Sequence, residues 1–554
     1  MTRPTGTEAD ERERMIRELL ARRGVARRPT GIPRRAPDAR VPLSPLQEGL
    51  WYLDSLDPGN PAYVLYIAVR LSGRVDLAAL RGAVAAVVAR HEALRTAVVA
   101  RAGVPEQVVL DHVDCDVTVD DLTDRPADTR EQAAVALVQA EVETGFDLDR
   151  APLMRVRLIR LDEAEHVLAL CLHHIVADER SLGIVLGEIL TGYQRIQAGG
   201  PPPPPPTAQF PDYVLWQRAA LGGRADELRR FWAARLADAQ VLELPTDRPR
   251  PPVQTFAGAT APFTLAAELT AAVDALARRA GVTRFMIVMT AVQVVLSRWS
   301  GQSDICVGSP VATRSIPESQ EIVGLLVNSV VFRTDLSGDP TLAEALDRVR
   351  RTCVEALAHA ELPLHEVVGL AGQPRDPSRN PLFQVMCVVN PTTRVAGTGG
   401  LAVRPVNVGR RTSRLDLTVM VYETDPALSG LVDYNTDLFD AQTIRRFIDR
   451  LRQVLHALTA DPHRRLSELD VIGPAERREL AAWSGTDRDH APAATLTDLI
   501  RARAAADPDA PAVLAADRSA PVLSYGELDS RADRLARLLR AAGVGQEVPV
   551  GLAL

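Results

Sequence analysis

The sequence contains no lysine. All 64 basic residues of the 554-residue chain are arginine, which together with abundant alanine is typical of a GC-rich coding sequence. A chain without lysine has no Schiff-base nucleophile and lacks the lysine of a phosphate-binding P-loop. Both kinds of chemistry are therefore excluded.

Cysteine is scarce as well. The five cysteines are scattered along the chain without CxxC spacing, so the sequence predicts neither a disulfide framework nor a zinc site. We expect reduced core thiols at Cys115, Cys171, Cys306, Cys353 and Cys387.

Long hydrophobic runs and a secretory signal are also missing. No stretch reaches the roughly 18 uninterrupted apolar residues of a membrane span, and the N-terminus MTRPTGTEADERERMIRELLARR is too charged for a signal peptide. We therefore expect a cytoplasmic protein without a membrane partner. The net charge of -7 argues against a nucleic-acid surface.

The patterns that are present predict a mixed α/β protein. AYVLYIAVRL has the period of a strand, and DLAALRGAVAAVVARHEAL has a helical stripe that opens at a candidate N-cap, Asp76. Six consecutive prolines in GGPPPPPPT form the clearest break, because they cannot join a helix or an interior strand. The predicted organisation is an arm or linker at 1–41, an α/β unit at 42–198, a proline-rich bridge at 199–208, a second α/β unit at 209–470, a linker at 471–489 and the start of a further domain at 490–554. We expect the chain to end inside that last domain.

The stretch HHIVADE at 173–179 places two histidines and two acids in one turn. EHVLALCLHH before it is typical of a strand buried on both faces, and SLGIVLGEILTGY after it is typical of a helix with Ser181 as N-cap. The expected apolar face of this helix consists of Leu182, Val185, Leu186, Ile189, Leu190 and Tyr193. The histidines therefore belong to a strand-to-helix loop, where functional side chains are common and a purely structural role is the alternative.

These motifs resemble those of the condensation domains of nonribosomal peptide synthetases. The resemblance covers roughly positions 42 to 470, and HHIVADE matches the family's HHxxxDG except at its last residue. Seven motifs follow in the family order: LSPLQEGLWYL at 43–53, RHEALRT at 90–96, HHIVADE at 173–179, FPDYVLWQ at 210–217, VGLLVNSVVFR at 323–333, ELPLHEVV at 361–368 and RDPSRNPLFQ at 375–384. The segment 490–554 resembles the beginning of an adenylation domain.

The resemblance implies two chloramphenicol-acetyltransferase-like lobes in a V, with a channel between them. Donor and acceptor peptidyl carrier proteins would bring phosphopantetheine arms to the two mouths of the channel, with an adenylation domain in cis. The acceptor's α-amine would attack the donor aminoacyl or peptidyl thioester to form a peptide bond. The chain itself would bind no cofactor and no metal, and would act as a monomer.

The resemblance and the chemistry together imply roles for particular residues. A histidine that titrates near neutrality is suited to accept the amine proton or to position the amine, and His174 is the candidate. His173, one residue earlier on an alternating strand, should point away and serve the structure. Asp178 should organise the loop through an arginine, with Arg90 as first and Arg95 as second candidate. Gly324 and Asn328 would shape the channel floor.

Four alternative interpretations fit the motifs less well. Heterocyclisation domains have aspartates in place of both histidines, and epimerisation domains carry C-terminal motifs that this chain lacks. A non-catalytic scaffold that recruits a tailoring enzyme is disfavoured by the intact HHxxxD pattern. A metal hydrolase is disfavoured because adjacent strand histidines point apart.

Glu179 is the departure from the family pattern. A glycine at this position suggests a backbone geometry or a closeness to substrate that glycine alone permits, so the sequence predicts some strain at Glu179. Neutral drift is one explanation. The other is that HHxxxDE resembles the modified-amino-acid subgroup, which dehydrates a donor serine or threonine, and we therefore expect Glu179 and His174 to be the catalytic pair of that reaction.

Overall fold

The structure is a computed structural model that describes residues 31–373, 376–391, 400–423, 427–484, 495–515 and 521–552. Most of the arm or linker predicted at 1–41, part of the linker at 471–489 and the first residue of the motif at 375–384 lie outside the described residues. The chain divides into two compact units, Met1–Gly473 and Pro474–Leu554.

The strands and helices of the described residues alternate, as the sequence predicted. The strands are β1 (Val41–Pro42), β2 (Val64–Ser72), β3 (Thr96–Arg101), β4 (Val104–Val109), β5 (Val117–Asp121), β6 (Met154–Asp162), β7 (Glu165–His173), β8 (Gly258–Thr264), β9 (Asp304–Ala312), β10 (Val327–Asp335), β11 (Val385–Pro391), β12 (Ala402–Pro405), β13 (Leu417–Glu423), β14 (Ser429–Asn435), β15 (Pro511–Leu514) and β16 (Pro521–Ser524). The α-helices are α1 (Pro45–Leu56), α2 (Leu77–Arg90), α3 (Ala127–Val142), α4 (Glu179–Gln197), α5 (Phe210–Gly222), α6 (Ala225–Leu236), α7 (Ala267–Ala280), α8 (Arg284–Ser300), α9 (Leu342–Ala358), α10 (Leu364–Leu370), α11 (Ala441–Ala460), α12 (Pro474–Ser484), α13 (Leu496–Ala506) and α14 (Tyr525–Ala541).

The first sheet has the strand order β12-β2-β7-β6-β5. β7 is its central strand, and eight of its nine residues are buried because helices cover both faces of the sheet. One face of β7 packs with α2 and α4, and the other packs with α3. The predicted doubly buried strand is confirmed. A small separate sheet has the order β1-β4-β3.

The second sheet has the order β10-β9-β11-β13-β14-β8 and contains both parallel and antiparallel pairs. Helix α8, which is buried along most of its length, packs in the core on one face of this sheet together with α7, α9 and α11. The opposite face of β13 and β14 carries Tyr422 and Asp433, since side chains alternate along a strand.

Two segments from the second half of the first unit pack with its first half. β12 lies in the second half of the chain but pairs with β2 of the first sheet, from Ala402 opposite Ser72 to Pro405 opposite Val69. Helix α5, placed by the sequence in the second α/β unit, buries Phe210 and Tyr213 in the core of the first. The polyproline stretch forms neither helix nor strand, as predicted.

The helix that follows the HHIVADE turn forms for local reasons. The six residues of its predicted apolar face are all buried. Its N-cap is Asp178, not the predicted Ser181, because the Asp178 carboxylate accepts a hydrogen bond from the Ser181 amide at 2.7 Å. The predicted cap of α2 is confirmed, since Asp76 accepts hydrogen bonds from two amides of the first turn.

Among the described helices, no single one is long and apolar enough to cross a membrane. The pair α7 and α8 meets the length and composition criterion only when the two are taken together across a 107° bend. In the second unit, α14 has no buried residue, and β15 pairs with β16.

Candidate active site

His174 is the first residue after β7, and its own backbone fixes it. The His174 amide donates to the carbonyl of Tyr63 at 2.9 Å. The Nδ1 atom of the imidazole lies 2.8 Å from the Ala177 carbonyl oxygen. Because a carbonyl can only accept, Nδ1 carries a proton, and Nε2 of the neutral ring is therefore an unprotonated acceptor. Among the described residues, none forms a hydrogen bond with Nε2.

The surroundings of His174 keep the ring neutral. Burial in the protein lowers its pKa to about 4, and the positive charge of Arg414 acts in the same direction. The residue is half-buried, so it is not closed off from solvent completely. At neutral pH His174 is therefore ready to accept a proton.

His173 has a different environment. Its ring is almost fully buried, its Nδ1 accepts from the Ile175 amide at 3.1 Å, and it packs edge-on against Phe146. Burial lowers the pKa of His173 to about 3, so this ring is also neutral. The contacts match the structural role predicted for it.

Asp178 forms a buried ion pair, but not with the predicted partner. Both carboxylate oxygens accept from Nη2 of Arg314, at 2.9 and 3.0 Å, and the two side chains are nearly inaccessible. The Leu326 amide and the Ser181 hydroxyl also donate to the carboxylate, at 3.1 and 2.6 Å. Asp178 thus joins the start of α4 to the segment after β9.

The expected pairing of Asp178 with Arg90 or Arg95 is wrong. The Arg90 Nε donates to Glu188 on α4 at 3.2 Å. Arg95 donates to the Leu110 carbonyl and lies 3.8 Å from Glu92. Both arginines therefore stabilise contacts away from the turn. Arg314 could have been suspected only from its position, as an arginine that follows the apolar strand pattern ICVGSPVA.

Glu179 is the first residue of α4 and is exposed. Its φ is not among the positive values of non-glycine residues, so the predicted backbone strain is absent. The reason is that a first helical position has ordinary backbone geometry, which any residue adopts. The turn therefore accepts a glutamate without a conformational cost.

The negative charge of Glu179 acts to raise the pKa of Arg414, Tyr422 and Asp433. Burial is the larger cause for each of them: it also raises the pKa of Tyr422 and Asp433, but it lowers the pKa of Arg414, which is the net direction for that residue. These three residues come from β13, β14 and the segment before them. We call the group Tyr63, His174, Glu179, Arg410, Arg414, Tyr422 and Asp433 the central site.

The motif analysis did not point to Arg410, Arg414, Tyr422 or Asp433. They lie between 410 and 433, outside the seven motifs; Tyr422 and Asp433 are on β13 and β14 of the second sheet, and the two arginines lie in the segment before β13. Asp433 accepts from the Thr260 hydroxyl at 2.6 Å, and burial raises its pKa. No sequence signal distinguished these side chains from surface charges.

Gly324 and Asn328 are both buried, and their predicted place in a channel floor stays a prediction. Gly324 is buried, and a Cβ there would lie 2.1 Å from the Phe210 ring, so the glycine is needed for packing. Asn328 is buried on β10, where its amide donates to the Ala360 and Leu362 carbonyls at 2.8 and 2.7 Å. Both residues therefore make close packing or hydrogen-bonding contacts in the core.

Cysteines and acids do not form a metal site in the part of the chain that the structure describes. Within it, no group of three or more potential ligands is close enough to hold an ion. All five cysteines are free thiols, and four of them are buried as predicted, whereas Cys115 is only half-buried.

Comparison with known families decides the identity. Residues 38–481 match the model of the condensation domain. The chain belongs to the condensation-domain family. This condensation domain is 36% identical over 524 residues to a linear gramicidin synthase of Brevibacillus parabrevis, covering 93% of the chain and 10% of that protein. It is also 36% identical over 554 residues to phosphinothricin tripeptide synthetase PhsC of Streptomyces viridochromogenes, covering 98% and 50%.

Solved structures agree with this family. The condensation domain aligns with the X-domain from teicoplanin biosynthesis at a TM-score of 0.72 and 29% identity, covering 79% of this chain and 99% of that one. A four-domain nonribosomal peptide synthetase, AB3403, aligns at 0.78 and 24%, covering 95% and 40%. The predicted fold of two chloramphenicol-acetyltransferase-like lobes is confirmed. This condensation domain spans a tenth to a half of the two synthetases named above.

Proposed function

We propose that this nonribosomal peptide synthetase condensation domain joins a donor aminoacyl or peptidyl thioester to the α-amine of an acceptor aminoacyl thioester. Phosphopantetheine arms of donor and acceptor carrier proteins present the two substrates, and the chain binds no cofactor of its own. The observation that carries the proposal is the state of His174, a half-buried residue whose ring is neutral, with Nε2 unprotonated.

The chemistry follows from that state. The amine nitrogen attacks the thioester carbonyl carbon, the C–N bond forms, and the surplus amine proton passes to Nε2 of His174. When the C–S bond breaks, the imidazolium returns a proton to the departing thiolate. Presentation of both substrates on tethered arms supplies the proximity that a bimolecular reaction lacks.

Reconstitution with loaded carrier proteins tests this function. We expect the wild-type chain to transfer the donor group to the acceptor carrier, and His174→Ala to reduce the rate by about 100-fold or more, the range of general-base catalysis. The products on each carrier are identified by mass. A folded His174→Ala variant with the wild-type rate would remove His174 from the mechanism.

We further propose that the same site dehydrates a donor seryl or threonyl residue. The support is the position of Glu179, whose exposed carboxylate extends from the same turn as His174 and influences groups on the opposite sheet. His174 removes the α-proton, which the thioester acidifies, and the β-hydroxyl leaves as water after protonation. In this proposal Glu179 holds the hydroxyl and relays the proton to it from the imidazolium.

Glu179→Gln and Glu179→Gly test the dehydration. We expect wild type with a seryl or threonyl donor to give a product lighter by one water than the product of either variant. The variants still form the peptide bond, whereas His174→Ala impairs both steps. The exposed Glu321 gives a matched control, since Glu321→Gln should dehydrate like wild type. A hydroxyl-bearing product from wild type with its authentic partners leaves condensation without dehydration.

A scaffold that recruits a tailoring enzyme is the second candidate. The observation in its favour is the likeness to the X-domain, which has been solved in a complex with OxyB and aligns at a TM-score of 0.73 with 30% identity. The unprotonated Nε2 of His174 favours catalysis. Normal product formation by His174→Ala, together with stable binding of a tailoring enzyme, would favour the scaffold.

A further inference from the structure

Arg414 of the central site carries a charge that no described residue neutralises by direct contact. Its half-buried guanidinium lies over the ring of Tyr63, 5.5 Å from the ring centre. Among the described residues, none forms a side-chain hydrogen bond or ion pair with it. The buried arginines elsewhere behave differently: Arg314 binds Asp178, and Arg250 binds Asp416. A desolvated cation without a bound anion costs free energy, which makes Arg414 unusual in this chain.

The backbone of Arg414 is held in place by hydrogen bonds. Its backbone carbonyl accepts from Gln254 Nε2 at 2.8 Å and from Asn380 Nδ2 at 2.7 Å. The next acid in the chain, Asp416, is held by Arg250 through a hydrogen bond of 3.0 Å. These contacts fix the backbone that carries the guanidinium, so the side chain starts from a rigid segment.

Arg414 lies near His174, the residue proposed to accept the amine proton. The same Tyr63 on which it stacks supplies the carbonyl that anchors the His174 amide. Glu179 and Asp433 are near enough for their charges to act on Arg414, but neither forms a hydrogen bond with it. Asp433 is engaged by the Thr260 hydroxyl instead. The guanidinium N–H groups are thus available to something that enters beside His174.

Arg410 is the second cation of the cluster but has a different setting. It donates to the Val64 carbonyl at 3.3 Å and lies over Tyr66, 5.2 Å from the ring centre. It adds positive charge near Arg414 while using part of its own donor capacity. Of the two, Arg414 is the one whose side-chain donors meet no acceptor among the described residues.

We propose that Arg414 is the anion-binding residue of the central site and receives a negatively charged oxygen of the thioester substrate bound beside His174. This deepens the proposed condensation function and rests on it. Two sources share the chemistry: the oxyanion that forms at the thioester carbonyl carbon when the amine attacks, and a carboxylate carried by the substrate. A guanidinium suits either one, because its N–H groups form charge-assisted hydrogen bonds to oxygen anions.

The test uses the full chain, loaded carrier proteins, and two variants of Arg414. Arg414→Gln removes the charge, and Arg414→Lys keeps it. Arg411→Gln is the matched control, because Arg411 lies in the same segment but is exposed and 3.6 Å from Glu143. Aspartyl and asparaginyl groups, which differ mainly in charge, are compared first as donors and then as acceptors, with kcat and KM measured for each.

The two sources give different results. If Arg414 binds the oxyanion, Arg414→Gln lowers kcat for every substrate by about 100-fold, the loss typical of an oxyanion-hole donor, with KM little changed. If it binds a substrate carboxylate, the loss is confined to aspartyl groups, appears in KM, and reaches about 10-fold or more. In either case Arg414→Lys restores part of the rate, and Arg411→Gln resembles wild type.

A third readout separates this inference from the proposed function. Pantetheine amides of aspartate and asparagine, which cannot react, are titrated into wild type and Arg414→Gln. If Arg414→Gln matches wild type in kcat, KM and affinity for both amides, the inference is overturned even when its melting temperature falls, since the role would then be structural. If wild type forms no peptide bond, the proposed function fails. The anion site would still be supported if wild type binds the aspartyl amide more tightly than the asparaginyl amide and Arg414→Gln loses this difference. Equal binding of both amides by an inactive wild type would overturn both.

Discussion

Removal of the Asp178 carboxylate is the sharpest test of which contacts hold the HHIVADE turn. Asp178→Ala deletes an N-cap, which costs about 1 kcal/mol, and leaves Arg314 as a buried unpaired cation, which costs about 3–5 kcal/mol. We therefore expect the free energy of unfolding to fall by about 4–6 kcal/mol. Both costs arise from the loss of one carboxylate, which accepts hydrogen bonds from Ser181, Leu326 and Arg314.

The expected change in melting temperature is small despite that cost. Unfolding entropy is about 2.1 cal/mol/K per residue, so a cooperative unit of roughly 470 residues changes by about 1 kcal/mol per degree. A loss of about 4–6 kcal/mol corresponds to a fall of about 4–6 °C. Calorimetry of the full chain and urea unfolding followed by tryptophan fluorescence both resolve such a change.

A double-mutant cycle separates the ion pair from the cap. Arg314→Met removes the cation but leaves the cap intact, and we expect the combined variant to be more stable than the sum of the single losses by about 2 kcal/mol or more. Asp178→Asn keeps a capping oxygen and should be less costly than Asp178→Ala. Additive losses, or a change below about 1 °C for Asp178→Ala, would show that the pair contributes nothing.

Three other outcomes follow from the structure. Because the pKa of His174 is lowered to about 4, only the acceptor amine loses a proton between about pH 5 and 7. A plot of the logarithm of the condensation rate against pH should therefore rise with a slope of about 1 in this range, and a slope of about 2 below about pH 6.5 would contradict this. Because the pKa of His174 is lower in the folded state than in the unfolded state, the unfolded state binds more protons between about pH 4 and 6.5. The free energy of unfolding should therefore fall as the pH drops through that window, and it should fall less steeply in His174→Gln. A chain that ends at Ser484, which removes most of the second compact unit, should condense carrier-bound substrates at the full-length rate, and lost activity in a soluble product would mean that the tail supports the fold.

Local patterns predicted the local structure well. The apolar face of α4 and the cap at Asp76 were correct because helical periodicity and capping involve residues within one or two turns of each other. The doubly buried β7 was predictable for the same reason, since its composition reflects burial on both faces. His173 and His174 were correctly placed at the end of that strand.

Long-range pairing was not predictable in the same way. Arg90 and Arg95 lie in a motif and were preferred for that reason, whereas Arg314 reaches Asp178 from 136 residues away. Nothing in a single sequence states which distant arginine meets a given carboxylate. The charges at 410–433 were missed for the same cause, because the order of strands in the second sheet brings them to the catalytic turn.

The crossing of β12 has a practical consequence for recombining synthetase modules. A cut at the polyproline bridge looks natural from the sequence, but it would separate β2 from its edge partner and Phe210 from the core that surrounds it. An isolated first half would then expose an open strand edge, which invites pairing between chains. Hybrid enzymes with that junction must form these contacts with segments of a different parent, whereas junctions after residue 473 keep both halves of the first unit from one parent.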